Sequence, residues 1–216
     1  MTQLTADTAI RMIRLTSERL RVAATELSRI DAVAGDGDHG VNMAAAFSAA
    51  EAGIAARRPT NAAEVFLLTG RACSDSGGSA GALFSAFFET LGHRLAVAAP
   101  GITDLVDGLD LASRQVAVVG RVQAGDKTML DALQPAVDAA RSIDRSVDEA
   151  AVVLREAAAA AERGAAASAA MPAAAGRARY ATNRAIGTRD PGAVTIAIML
   201  GAWADASSIA TYKARP

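Results

Sequence analysis

Apolar residues recur along this chain at a spacing near 3.6, and almost nowhere do they alternate in the two-residue rhythm of a half-buried strand. Asn-Gly hairpin turns are missing, and alternating β-branched runs are few. A chain patterned this way has to bury helical faces against one another. Of its 216 residues 51% are hydrophobic but only 4% aromatic, so Ala, Leu, Val and Ile must fill the core. Alanine suits such a core, because it is the best helix former and its small side chain lets helices approach closely. The length suffices for one large domain with a substantial core.

Eight helices are predicted, over 3–30, 40–56, 61–74, 79–97, 103–119, 128–142, 146–171 and 192–212. The breaks have local causes. Arg57-Arg58-Pro59-Thr60 ends the second helix and caps the third, and Pro100-Gly101 before Thr103 separates the fourth from the fifth. Pro172 and Gly176 end the seventh; Asp190-Pro191-Gly192 opens the eighth. The alanine-rich tract 151–175 carries Arg155, Glu156, Glu162 and Arg163, which fit a helix with an exposed face better than disorder. No repeat or linker divides the chain, so residues 1–216 read as a single all-α domain.

If consecutive helices are antiparallel neighbours, loops after odd-numbered helices share one end of the bundle and loops after even-numbered helices the other. The even loops, near 57–60, 98–102 and 143–146, are short and chemically plain. The odd loops, 31–40, 75–79, 120–127 and 172–191, hold the glycine-rich and acidic segments. Four separate oddities become one expected site.

The first loop, Asp31-Ala-Val-Ala-Gly-Asp36-Gly-Asp38-His39-Gly40, packs three carboxylates, a histidine and three glycines into ten residues. Three like charges so close repel unless a cation sits among them. Oxygen donors on a flexible backbone suit Mg²⁺ and not zinc. The spacing is not that of a calcium loop, and no acidic residue stands where the closing bidentate Glu would be. A turn capping the next helix is the plain alternative, although a cap needs one Asp and not three. His39 reads best as a donor to phosphate.

In the second loop, Ser74-Asp75-Ser76-Gly77-Gly78-Ser79-Ala80-Gly81, glycines before a helix N-terminus either expose backbone N–H groups to an anion or allow close helix packing. The third, Gly120-Arg-Val-Gln-Ala-Gly125-Asp126-Lys127-Thr128-Met129, places Gly125-Asp126 as a cap. Lys127 and Thr128 would face phosphate, and Met129 would offer a nucleobase an apolar surface or pack in the core. The fourth, from Gly176-Arg177 through Arg179, Tyr180, Arg184, Ile186-Gly187 and Arg189 to Gly192, is long for a bundle. Four arginines between glycines look like a charge-neutralising lid or a solvated basic loop.

A net charge of −1 gives no reason to expect nucleic acid or an anionic membrane as a partner. One cysteine, Cys73, excludes an internal disulfide. No basic region followed by an apolar run opens the chain, and the longest apolar stretch, 193–204, is short for a membrane span, so a cytoplasmic location is expected. Cys73 should be a buried thiol, Trp203 should pack in the last helix, and His93 should be structural.

In these motifs the chain resembles the L subunit of dihydroxyacetone kinase, the DhaL or DAK2 family. Gly-Asp-Gly-Asp-His-Gly-x-Asn-Met, Gly-Gly-Ser-x-Gly-x-Leu-Phe, Gly-Asp-Lys-Thr-Met-x-Asp-Ala-Leu and Gly-Arg-Ala-x-Tyr…Ile-Gly…Asp-Pro-Gly-Ala occur in order. The resemblance implies an antiparallel eight-helix barrel with a nucleotide, ADP or ATP, at one end. It implies that Asp31, Asp36 and Asp38 hold two Mg²⁺ ions. His39, Gly40, Val41 and Asn42, with the backbone at Gly78, Ser79 and Ala80, would meet the phosphates. Gly120, Thr128, Met129, Arg177, Asp190, Pro191 and Gly192 would complete the pocket, with Arg177 also catalytic. In the family a separate K subunit holds the ketose. In phosphotransferase-linked systems an M subunit recharges retained ADP. A homodimer is left open. The chain departs from the family pattern at Arg179, Asn183 and Thr188, which bear on partner and ketose more than on nucleotide binding, and it has Ser79-Ala80 where Ala-Ser is usual. A tetrose kinase subunit, a fatty acid kinase, a nucleotide-sensing regulatory module and an all-helical metal hydrolase are the rival expectations.

Overall fold

The computed structural model describes residues 3–143 and 150–213, and in them the side chains of Arg177, of 181–183 and of 209–213 lie outside the description. Among the described residues there are eight α-helices and no strand: α1 Ala6–Asp31, α2 His39–Arg57, α3 Ala62–Asp75, α4 Gly78–Arg94, α5 Ile102–Gly120, α6 Leu130–Ser142, α7 Ala150–Ala167 and α8 Pro191–Lys213. Each helix packs on the next, and α1 packs on α8, so the eight close into a ring. Short connections make most of the packed neighbours antiparallel.

The helix ends follow side-chain chemistry. The Thr5 hydroxyl accepts the Thr8 N–H at the start of α1. The cap of α3 is Asn61 and not Thr60: Asn61 Oδ1 accepts the Glu64 N–H, and Glu64 reaches back to the Thr60 N–H. The fourth helix stops at Arg94, three residues early, and the seventh stops at Ala167 before a 3₁₀ turn over Ser168–Ala170. The expected start of that helix at 146 lies outside the described residues. Nor is the fourth odd loop featureless, for Arg177–Ala185 coils as 3₁₀ helix.

All five phenylalanines and the single tryptophan are buried. Phe66 meets Trp203 at 5.3 Å between ring centroids, and Phe88 meets Phe87 at 5.1 Å and Phe47 at 5.7 Å. Each such ring contributes roughly 2–3 kcal/mol by leaving water. Around this knot alanine is the commonest buried residue, and its small side chain brings backbones close. Pro135 within α6 has no N–H to offer the Asp131 carbonyl, and Gly164 of α7 fits against that same carbonyl. Among the described residues no helix is long and apolar enough to cross a membrane.

Candidate functional site

The loops after α1, α3, α5 and α7 come together at one end of the ring, as helix parity requires, and enclose a cleft of about 380 Å³. Asp31, Asp36, Asp38, His39, Asn42, Gly78, Ser79, Ala80, Gly120, Thr128, Met129, Asp190, Pro191 and Gly192 all line it. Gly40 and Val41 do not. Gly40 is buried where α2 crosses α1, and Val41 is exposed on the outer side of α2. Arg177 has a described backbone only.

Ligand oxygens of Asp31, Asp36 and Asp38 lie within 4.8 Å of one another. Their roles differ. Asp31, at the end of α1, turns Oδ2 back to accept the Gly37 N–H at 2.9 Å and the His39 N–H at 3.3 Å, bracing the loop. Asp38 stands at the N-cap position of α2 but makes no side-chain cap bond, so the capping alternative does not account for it. The triad's oxygen-only donor set suits a hard divalent cation.

His39 is buried, and its Nε2 lies 2.9 Å from the Thr195 hydroxyl, which itself donates to the Pro191 carbonyl. The hydroxyl must therefore accept from the ring, fixing the Nε2–H tautomer. Burial lowers the His39 pKa, although Asp31 and Asp38 pull it upward. With Nε2–H committed to Thr195, Nδ1 is the ring nitrogen left for another partner.

Gly77 and Gly78 have φ of 73° and 69°, a backbone only glycine adopts freely, and this turn lets α4 begin at the cleft. Leu83, Val119, Val122 and Met129 form an apolar wall beyond it. In the third loop the expected cap, Asp126, instead takes the Gln123 N–H. The brace is Asp131, 4% exposed, which accepts from Gly125 N at 2.5 Å and Thr128 N at 2.7 Å. Lys127 also departs from expectation: its ammonium is bound to two backbone carbonyls, of Ser168 and Thr188. Of the fourth loop's described arginine side chains only Arg189, paired with Glu162, is at the cleft; Arg179 stacks on exposed Tyr180 and Arg184 is exposed.

Asp190 caps α8, accepting the Ala193 N–H at 2.7 Å, with Pro191 at the first helical position. Its carboxyl pKa is raised to about 7, chiefly by burial and further by Asp131 and Asp31, against the Ala193 N–H and Lys127. A folded pKa above the unfolded value means stability that is complete below about pH 4 and is lost as pH rises through about 7. Asp190→Asn should therefore lose less of its melting temperature than the parent between pH 5 and 8 without metal. Parallel pH curves for the two proteins would contradict this.

Cys73 is buried, its thiol pushed up to about 12 by burial, and Trp203 is buried as expected. His93 sits in the last turn of α4, away from the cleft. Sequence reasoning missed Asp131, Ser168 and Thr195 as site supports. Only Asp131 had a signal, five residues after a loop aspartate and inside the third motif.

Against known proteins, the model of the DAK2 domain matches residues 33–205. The chain belongs to the DAK2 domain family. It is 30% identical over 201 residues to the ADP-binding subunit DhaL of a PEP-dependent dihydroxyacetone kinase of Listeria innocua, covering 91% of this chain and 94% of that one. It is 37% identical to L-erythrulose 1-kinase of Mycolicibacterium smegmatis, over 82% of this chain but 31% of that enzyme. The chain thus spans about a third of the length of that longer relative and nearly all of the Listeria subunit. The crystal structure of the dihydroxyacetone kinase of C. freundii in complex with AMP-PNP and Mg²⁺ superposes with a TM-score of 0.71 at 29% identity, covering 94% of this DAK2 chain and 34% of that one.

Proposed function

We propose that this DAK2 domain is the nucleotide-binding, phosphoryl-transferring part of a ketose kinase, acting on a small ketose such as dihydroxyacetone held by a separate K subunit. The observation that carries the reading is the cleft: three clustered carboxylates at one wall, an apolar wall of Leu83, Val122 and Met129, and a volume within the range of small-ligand sites. The relatives' names, ADP-binding subunit and erythrulose kinase, point the same way.

In this reading Asp31, Asp36 and Asp38 hold two magnesium ions, which when bound supply charge neutralisation to the phosphates. Backbone N–H groups at Gly78, Ser79 and Ala80 meet phosphate oxygens, while Gly120, Thr128 and Met129 shape the base pocket. Asn42 and the turn Asp190-Pro191-Gly192 close the sides, and Arg177 adds positive charge, a role that rests on the resemblance alone. His39 sets the position of the metal loop through Thr195. The nucleotide is ATP as substrate, or ADP retained and recharged by an M subunit.

Two measurements test this. The protein should bind Mg–ADP in calorimetry, with binding lost in EDTA. Alone it should phosphorylate little dihydroxyacetone, and adding a K subunit should raise turnover at least a hundredfold. Substantial turnover without a partner would refute the divided site. Binding with no transfer in any combination would favour a nucleotide-sensing module, and no nucleotide binding would favour a metal hydrolase.

A further inference from the structure

Lys127 is 5% exposed, and its Nζ lies 2.6 Å from the Ser168 carbonyl and 2.6 Å from the Thr188 carbonyl, 41 and 61 residues away. Those two carbonyls mark where the chain leaves the barrel after α7 and where it returns before α8. Further bonds converge there. The Ser168 carbonyl also accepts the Met171 N–H, its hydroxyl accepts the Asp190 N–H at 2.9 Å, and the Gly187 N–H donates to the Ala169 carbonyl at 2.8 Å. Between these feet the segment crosses the cleft, lining it with Ala175, Gly176, Ala178 and Ala185.

Lys127 itself holds a left-handed backbone, φ 61°, which is strained for a residue that carries a side chain. Glycine would adopt that conformation freely, so conformation does not explain a lysine here. The ammonium does. A buried cation is tolerated when its protons are given to oxygens, and two of its three go to these carbonyls, one at each end of the crossing segment. Burial lowers its pKa, and the carboxyl groups of Asp131 on α6 and Asp190 at the start of α8 partly offset this.

We propose that Lys127 is a positioning residue that clasps both feet of the 171–187 segment, holding that segment over the cleft and so setting how long a nucleotide is retained. The proposal deepens the nucleotide-binding reading and rests on it. A lysine acting as a direct phosphate ligand makes a different prediction, because its loss would leave the segment in place.

The test uses Lys127→Met in the full chain, which keeps the length of the side chain and removes its charge. Stopped-flow with a fluorescent ADP and Mg²⁺ should show dissociation at least tenfold faster, with association changed less than twofold. In nucleotide-free protein, trypsin should cut at Arg179 and Arg184 at least fivefold faster, while cuts at the exposed barrel residues Arg21 and Arg57 keep their rate. Equal acceleration at all four sites would mean general loosening and would overturn the clasp. So would unchanged segment cleavage combined with weaker ADP binding, the mark of a direct ligand. Should Lys127→Met fail to fold, Lys127→Leu, which likewise has no N–H to give, is judged by the same rates. If the parent protein binds no Mg–ADP, the functional reading falls, and the tryptic rates alone decide whether the clasp exists.

Discussion

Asp31→Ala should abolish Mg²⁺-dependent nucleotide binding, with a loss of roughly 100-fold or more, equal to about 2.8 kcal/mol. Asp31 serves twice. It is one of three carboxylates whose oxygens lie within 4.8 Å of one another, and its Oδ2 also holds the Gly37 and His39 N–H groups. Alanine removes a proposed magnesium ligand and, in the same step, the bonds to Gly37 and His39 that brace the loop carrying Asp36 and Asp38. Asp36→Asn leaves the brace intact and should lose less, on the order of tenfold, because a neutral amide oxygen still coordinates a hard cation weakly. Calorimetric titration with Mg–ADP, repeated in EDTA, reads both. Parental affinity in Asp31→Ala would take the triad out of the metal site.

The split between what was and was not legible in the sequence follows the range of the interactions. Helices, breaks and the shared end for the four odd loops follow from local patterns: periodicity, proline, capping residues and short connections. Asp190-Pro191-Gly192 was readable as a helix start because a cap and a proline at the first helical position act within three residues. Lys127 was misread because its partners are two carbonyls 41 and 61 residues away, and carbonyls carry no sequence signature. Thr195 and Ser168 were invisible for the same reason: one sits in an apolar helix and the other in an alanine tract, and each matters only through a partner brought near by the fold. Gly40 was placed with the phosphate ligands by its motif, while the structure puts it in a helix crossing.

That crossing makes Gly40→Ala a damaging methyl group to add. A Cβ at this position would overlap the Ala24 carbonyl oxygen and come within 2.8 Å of both the Ala24 carbonyl carbon and the Ser28 nitrogen. These are backbone atoms of α1, so no side-chain rotation relieves the contact; α1 and α2 must separate. Overpacking a well-filled core costs about 1–3 kcal/mol, and a clash with rigid backbone belongs at or above the upper end. The displacement also has a direction. Gly40 follows Asp38 by two residues, so moving the start of α2 carries Asp38 and the His39–Thr195 bond away from Asp31. Gly40→Ala should therefore lower unfolding stability by about 3 kcal/mol, read from the denaturant midpoint, and weaken Mg–ADP binding together. Gly53→Ala, where an added Cβ meets nothing within 4 Å on the same helix, should do neither. If Gly40→Ala weakened nucleotide binding while the denaturant midpoint stayed at the parental value, Gly40 would be a phosphate contact after all, and the helix-crossing explanation would be wrong.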